Sequence, residues 1–378
     1  MRRIILSLGV VLLASVPASA QSGRQLTLED YYEVKSLGSP RISPAGDWVA
    51  YTVSRRIEET NGTATESWIV RADGSAEPVR VQHNGQDVGN PRWAEDGRLR
   101  VGSQGATWLI DPARPGDAAV RDESVAPAGL TSPDGRWLAL ARNMPMSERP
   151  EPVMTAFERR HEERFKGEAF DWYPFRRDRQ SFPLPDPAER ALTEVFLTPT
   201  MGVGEAFQLT RLGLRPTWIR WNPDGGSLLF TADESVLDEL AYSRSDLFLV
   251  TVEGELTRLT DDGYTYSGAG FSPDGRWISY TRAFGSNMII DRKLRHGGPR
   301  DLYVRPADGG EPVNLTGDWD LDAGTPMWSP DSRYIYFVTG IGGARHLFRV
   351  AADGGGVQQV TSGERRIQGL DIDRSFRR

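Results

Sequence analysis

Cysteine is absent from the 378 residues, which excludes disulfides, thiolate metal sites, a cysteine nucleophile and a lipidated cysteine anchor. Stability must then come from packing alone. Histidine is scarce: His83, His161, His296 and His346 are scattered without a His-x-x-x-His or comparable metal-binding spacing, and each is expected at the surface. A basic excess is lacking too. The 45 Lys+Arg and 52 Asp+Glu are interspersed, with no block that could follow a phosphate backbone, so nucleic acid is not an expected partner. The pentapeptide Gly-x-Ser-x-Gly, which holds the nucleophile of α/β-hydrolases on a strained elbow, does not occur. No catalytic Ser-Asp-His set, metal site or cofactor is therefore expected in this chain. Asp318, Asp320 and Asp322 imitate the first acids of a calcium loop, but Ala323 stands where glycine is needed and Ser329 where a bidentate Glu is needed.

Long hydrophobic runs are missing except at the start, where Arg2 and Arg3 precede an apolar stretch from Ile4 to Val16 and then Pro17-Ala18-Ser19-Ala20. That stretch falls short of the ~20 residues needed to span a bilayer. It reads as a secretory signal over residues 1–20, cleaved after Ala20, which places the mature protein in a periplasm or outside the cell, with no membrane span once the signal is removed.

What the chain has in abundance is one turn. Ser43-Pro44-Ala45-Gly46, Ala94-Glu95-Asp96-Gly97, Ser132-Pro133-Asp134-Gly135, Asn222-Pro223-Asp224-Gly225, Ser272-Pro273-Asp274-Gly275 and Ser329-Pro330-Asp331-Ser332 are copies or decayed copies of Ser-Pro-Asp-Gly. Proline presets φ at the second turn position and glycine accepts a positive φ at the fourth. An alternating aromatic-rich run follows, as in Trp137-Leu138-Ala139-Leu140, Trp277-Ile278-Ser279-Tyr280 and Tyr334-Ile335-Tyr336-Phe337. Downstream of each lies a hairpin, several with Ala-Asp-Gly at the tip: Ala72-Asp73-Gly74, Ala307-Asp308-Gly309 and Ala352-Asp353-Gly354. Two strands around the turn and two in the hairpin make a four-stranded antiparallel unit repeating about every 40 to 55 residues, the blade of a β-propeller. The fold class is all-β: six legible blades plus, over 365–378, the first strand of a seventh. A lead-in occupies 21–38 and the propeller 39–378. The turn aspartates are read as bonding to their own backbone, and the aromatic residues after the turns as packing between blades.

The third repeat is interrupted by an insertion over about 143–190. Ala156 to Phe165 is dense in helix formers with Phe157, His161 and Phe165 spaced four apart, predicting a short helix with one aromatic stripe. Its flanks, Asp171-Trp172-Tyr173-Pro174-Phe175-Arg176-Arg177 and Phe182-Pro183-Leu184-Pro185-Asp186-Pro187, predict extended loop. Loops at a propeller face carry function more often than strands do. Glu162 and Glu163 could bind a peptide's amino terminus or a basic side chain through charge-assisted bonds. The simpler reading is a solvated helix face paired with Arg159, Arg160 and Arg164.

With these features in hand, the chain resembles the amino-terminal propeller of the prolyl oligopeptidase (S9) family of serine peptidases, in its secreted bacterial acylaminoacyl-peptidase and dipeptidyl-peptidase branches. The resemblance rests on Leu26-Thr27-Leu28-Glu29-Asp30-Tyr31-Tyr32 leading into Ser39-Pro40-Arg41-Ile42-Ser43-Pro44, on Phe271-Ser272-Pro273-Asp274-Gly275-Arg276-Trp277, and on Trp328-Ser329-Pro330-Asp331-Ser332. It implies a non-catalytic propeller that gates and contacts oligopeptide substrates for a carboxy-terminal α/β-hydrolase domain. In the dipeptidyl-peptidase branch it also implies a Glu pair that binds the substrate's amino terminus, for which Glu162 and Glu163 are the candidates; Glu58-Glu59 is the other adjacent pair. The missing hydrolase domain and the unpartnered strand near Arg378 lead to the expectation of a truncated product or fragment. The turns are shared with TolB-like propellers, so a stand-alone six-bladed protein-binding module is the alternative.

Overall fold

In the computed structural model, which describes residues 24–372 apart from 123–128, 145–153, 166–175, 177–183, 185–190, 201–203, 237 and 239, the turn motif folds identically wherever Ser-Pro-Asp is intact. The Ser272 hydroxyl donates to Asp274 (2.6 Å) and accepts from the Trp277 N–H (2.9 Å), while Asp274 accepts from the Arg276 N–H (3.1 Å). Ser132 and Ser329 repeat the pattern with Asp134 and Asp331. These serines are almost fully buried, so each hydroxyl satisfies a main-chain donor that would otherwise be stranded. Gly275 closes the turn at φ +74°, where a side chain would be strained. In the first copy Ala45 replaces the aspartate, and Ser43 donates instead to Asp47 (2.7 Å). The turn aspartates are structural, as the sequence suggested.

After a one-turn helix α1 (Leu28–Glu33), blade 1 comprises β1 (Lys35–Ile42), β2 (Trp48–Ile57), β3 (Gly62–Arg71) and β4 (Val79–His83), extended by the short β5 (Gln86–Asp87). Blade 2 holds β6 (Gly89–Trp93), β7 (Leu99–Ser103), β8 (Ala106–Ile110) and β9 (Val120–Arg121). Blade 3 holds β10 (Leu130–Thr131) and β11 (Trp137–Asn143), then α2 (Ala156–Phe165), then β12 (Thr193–Pro199) and β13 (Phe207–Gln208). Blade 4 is β14 (Thr217–Trp221), β15 (Ser227–Asp233), β16 (Ser245–Thr251) and β17 (Leu256–Arg258). Blade 5 is β18 (Tyr264–Phe271), β19 (Trp277–Phe284), α3 (Ser286–Asp291), β20 (Asp301–Pro306) and β21 (Val313–Asn314). Blade 6 is β22 (Met327–Trp328), β23 (Tyr334–Ile341), β24 (Ala344–Ala351) and β25 (Gln358–Gln359). Every sheet is antiparallel with its strands in chain order, giving a six-bladed propeller.

The core lies between blades rather than within them, because a single sheet cannot cover its own faces. Phe230 and Phe248 of blade 4 stack at 5.6 Å and pack with Val195 and Leu197 of blade 3. Ala50, Ile69 and Val81 of blade 1 meet Leu99, Val101 and Ile110 of blade 2. Blade 4 joins blade 5 through Leu229, Leu247, Ile278 and Tyr280, and blade 5 joins blade 6 through Leu302, Val304, Ile335 and Phe337. Trp48, Trp93, Trp137, Trp221, Trp277 and Trp328 flank these clusters, so the aromatic residues around the turns are packing residues. Two of them also tie first strands together: the Trp93 indole N–H donates to the Arg41 carbonyl (2.9 Å) and that of Trp221 to the Leu130 carbonyl (2.8 Å).

A second repeated device went unread in the sequence. Thr210, Thr260 and Thr316, each just past a fourth strand, donate to a carboxylate that opens the third strand, Glu194, Asp246 and Asp301. Each hydroxyl also accepts from the next main-chain N–H, those of Val195, Leu247 and Leu302. In blade 6 Thr361 does the same with His346 and the Leu347 N–H. His346 is therefore buried, and His83 is buried against the Trp108 ring at 4.2 Å. Both correct the expectation of four surface histidines: each imidazole is large and flat enough to fill a strand position while its nitrogen meets a neighbour.

No strand forms over 365–372. Arg366 makes one isolated parallel bridge with Arg345, and the Asp371 carboxylate accepts from the Ile42 N–H (2.8 Å). This segment runs from blade 6 to the first strand of blade 1 instead of opening a seventh sheet; residues 373–378 lie outside the described residues.

Candidate functional site

Antiparallel order sorts the connections by face. Links between first and second strands, and between third and fourth, lie at one end of every blade: the Ser-Pro-Asp-Gly turns and the Ala-Asp-Gly tips. Links between second and third strands emerge at the other end, together with the blade-to-blade connections. At this loop face blades 2 and 6 make do with Gln104-Gly105 and Gly342-Gly343, whereas blades 3, 4 and 5 carry residues 144–192, 234–244 and 285–300.

On blade 3, α2 forms as predicted. Thr155 and Glu158 make a reciprocal cap, with the Thr155 N–H donating to Glu158 (2.7 Å) and the Glu158 N–H to the Thr155 hydroxyl (3.2 Å). His161 stacks between Phe157 (6.1 Å) and Phe165 (4.5 Å), the aromatic stripe read from the spacing. Phe157 and Phe165 are 68% and 62% exposed. Glu163 is exposed, and among the described residues it pairs with none of Arg159, Arg160 and Arg164. The Glu162 side chain lies outside the described residues, as do the expected signal at 1–20 and nearly all of both flanking loops.

The loop of blade 4 is self-contained. Glu234 bridges Arg244 (3.3 Å) and Arg258 (2.9 Å), and Arg258 reaches the buried Asp246 (2.7 Å). In blade 5 the Arg282 guanidinium lies between the Tyr264 ring (4.1 Å) and the Tyr303 ring (4.0 Å), and donates to the Tyr303 hydroxyl. Tyr266 donates to Asp262 (2.6 Å), and burial with that bond pushes its phenol above the usual range. Burial is the main cause that pushes Tyr280 up to about 12, against the opposing pull of the Arg305 and Arg282 charges. These phenols stay protonated at any physiological pH. Beyond them, α3 is followed by the exposed cations Arg292, Lys293 and Arg295.

Between blades 1 and 2 lies a cavity of about 470 Å³ lined by Ser39, Arg41, Thr52, Thr65, Asp87, Asn90 and Arg92. Ser39 and Asn90 both take positive φ (49° and 51°) at bulges that interrupt the pairing of β1 and β6. Asp87 is neutralised by Arg80, which binds both its oxygens (2.8 and 2.6 Å) and holds its carboxyl below the usual range. Among the described residues no serine hydroxyl bonds to a histidine, and no three His, Asp or Glu side chains cluster as metal ligands. Asp322 accepts from the Arg300 N–H (2.6 Å). Among the described residues the arrangement supplies binding surfaces and charge.

No family model matches the chain. Over 367 residues it is 21% identical to dipeptidyl-peptidase 5 of Porphyromonas gingivalis, a match covering 92% of this chain and 51% of that protein. Acylaminoacyl peptidase of Pyrococcus horikoshii superposes with a TM-score of 0.54 at 18% identity, over 91% of this chain and 48% of that one. An oligogalacturonate lyase solved with manganese superposes with a TM-score of 0.51 at 12% identity, over 90% and 82%, so the fold alone does not separate peptidases from other enzymes. The chain spans about half the length of the first curated relative and of the peptidase structure. It is a six-bladed β-propeller that matches the propeller part of the S9-type peptidases acylaminoacyl peptidase and dipeptidyl-peptidase 5.

Proposed function

We propose that this chain is the non-catalytic propeller portion of an exported serine peptidase of the prolyl oligopeptidase type, whose loop face contacts and gates oligopeptides for an α/β-hydrolase domain. The observation that carries it is the sequence match along 92% of the chain to half of a dipeptidyl-peptidase; likeness of fold would not suffice. The asymmetry of the loop face supports it, since the three successive blades 3, 4 and 5 carry the long connections while blades 2 and 6 carry two-residue ones. Glu163, exposed on α2 and without a charged partner among the described residues, supports a contact with a peptide's free amino group, and Glu162 beside it in sequence completes the acidic pair.

Two measurements test this reading. An antibody raised against the chain should detect a native polypeptide about twice its 42.0 kDa, in the exported fraction and with Gln21 as its first residue; a native band at the chain's own mass overturns it. The chain alone should neither cleave dipeptidyl p-nitroanilides nor be labelled by a fluorophosphonate, and labelling of any serine would contradict a non-catalytic role. In the whole enzyme, Glu163→Gln should raise KM several-fold for substrates with a free amino terminus and leave blocked substrates unchanged.

A further inference from the structure

The first strands of the six blades carry one equivalent position, two residues before the turn opens: Arg41, Arg92, Leu130, Arg220, Gly270 and Met327. Their registers agree, since each lies opposite a residue near the start of the second strand: Ala50, Arg100, Ala139, Leu229, Ser279 and Tyr336. Cations therefore occupy this ring position in blades 1, 2 and 4 only. All three arginines are exposed. Among the described residues Arg41 and Arg220 donate only to the carbonyls of Pro40 and Ile219 (2.9 Å each), Arg92 has no side-chain partner, and none of the three meets a carboxylate. Arg80, Arg98, Arg100, Arg136, Arg258 and Arg276 are instead paired with Asp or Glu, while Arg55, Arg211 and Arg215 resemble the three in meeting no carboxylate among the described residues; what sets Arg41 and Arg92 apart is the cavity they share.

Arg41 and Arg92 line the same cavity of about 470 Å³, with the hydroxyls of Ser39 and Thr52 and the amide of Asn90. Two like charges on one wall repel unless an anion lies between them, and a guanidinium is built to grip a planar oxyanion through parallel N–H bonds. The one carboxylate that lines the cavity, Asp87, is already held by Arg80, which also contacts Glu66 (3.2 Å). We propose that this cavity is an oxyanion-binding site and that its ligand is a carboxylate of an acidic oligopeptide. The peptide source rests on the function proposed above; the oxyanion site itself does not.

Calorimetric titration of the chain at low salt with acetyl-Glu-Glu-Glu-amide, acetyl-Gln-Gln-Gln-amide and inorganic phosphate tests it. The acidic peptide should bind, phosphate should compete with it, and the glutamine peptide should not bind. R41A/R92A should weaken the acidic peptide at least tenfold, R41K/R92K should weaken it less, and R220A should change it by under twofold. Melting curves of each variant establish that the fold is kept. Equal losses from R220A and from R41A/R92A would replace the site with diffuse channel charge and overturn the proposal. Failure of every anion to bind overturns the site while leaving the peptidase reading intact. Binding of phosphate without peptide overturns the peptide ligand and weighs against that reading as well.

Discussion

The two faces of this ring are built from the same strands yet follow opposite rules. At the turn face the blades converge on one solution, a buried serine hydroxyl joining an aspartate to the next strand, repeated in blades 3, 5 and 6 and rebuilt in blade 1 with Asp47. At the loop face they diverge, from the two-residue Gly342-Gly343 to an insertion of tens of residues that presents Phe157 and Phe165 to solvent. The difference shows where physics constrains the chain. A tight turn must satisfy its own backbone within a few residues, whereas a long connection can satisfy its backbone in water.

Breaking the comparison from the core side should have the largest effect. Phe230→Ala, which opens a void where blades 3 and 4 meet, should cost about 3–5 kcal/mol in urea unfolding. Next comes the turn itself: Ser272→Ala strips a partner from both Asp274 and the Trp277 N–H and should cost about 1–3 kcal/mol. Acid should act on the same turns in a directional way. Hydrogen bonds from Ser272, and from Ser132 in blade 3, hold Asp274 and Asp134 down to about 2. A carboxyl depressed on folding stabilises the fold above its ordinary value and loses that contribution as pH falls towards the folded one. The melting midpoint should therefore drop between pH 4 and 2, and Asp274→Asn should flatten that drop; an unchanged slope would detach the aspartate from stability. The smallest effect belongs to the loop face: Phe157→Ser on α2 should shift stability by less than about 0.5 kcal/mol. A loss comparable to that of Ser272→Ala would mean the helix is part of the fold's support.

This contrast also explains what could be read from the sequence. The turns and hairpins were legible because their causes are local: Pro273 and Gly275 fix the φ values, and the strands alternate around them. Phe157, His161 and Phe165 announced α2 through their spacing for the same reason. The short α3 gave no comparable signal, since one and a half turns leave no periodicity to count. The hairpin that extends blade 1 had one, Asn84-Gly85 with φ of 52° and 73°, the favoured pair for a two-residue turn, and it went unread beside the larger repeat. The threonine clasps hid because each joins residues 13 to 16 positions apart. The cavity of Arg41 and Arg92 was out of reach for a stronger reason: it exists only once blade 1 has met blade 2, with 51 positions between the two arginines.

Among the described residues the apolar clusters weld blade 1 to blade 2 and blades 3 through 6 to one another. Blade 6 reaches blade 1 differently, through the carboxylate of Asp371 on the Ile42 N–H and beside a cavity of about 590 Å³. Mechanically the molecule is a clasped bracelet of stiff arcs. Among the described residues two seams, between blades 2 and 3 and between blades 6 and 1, lack such a cluster, and a guest that widens the ring is expected to be felt there before any sheet loses a strand.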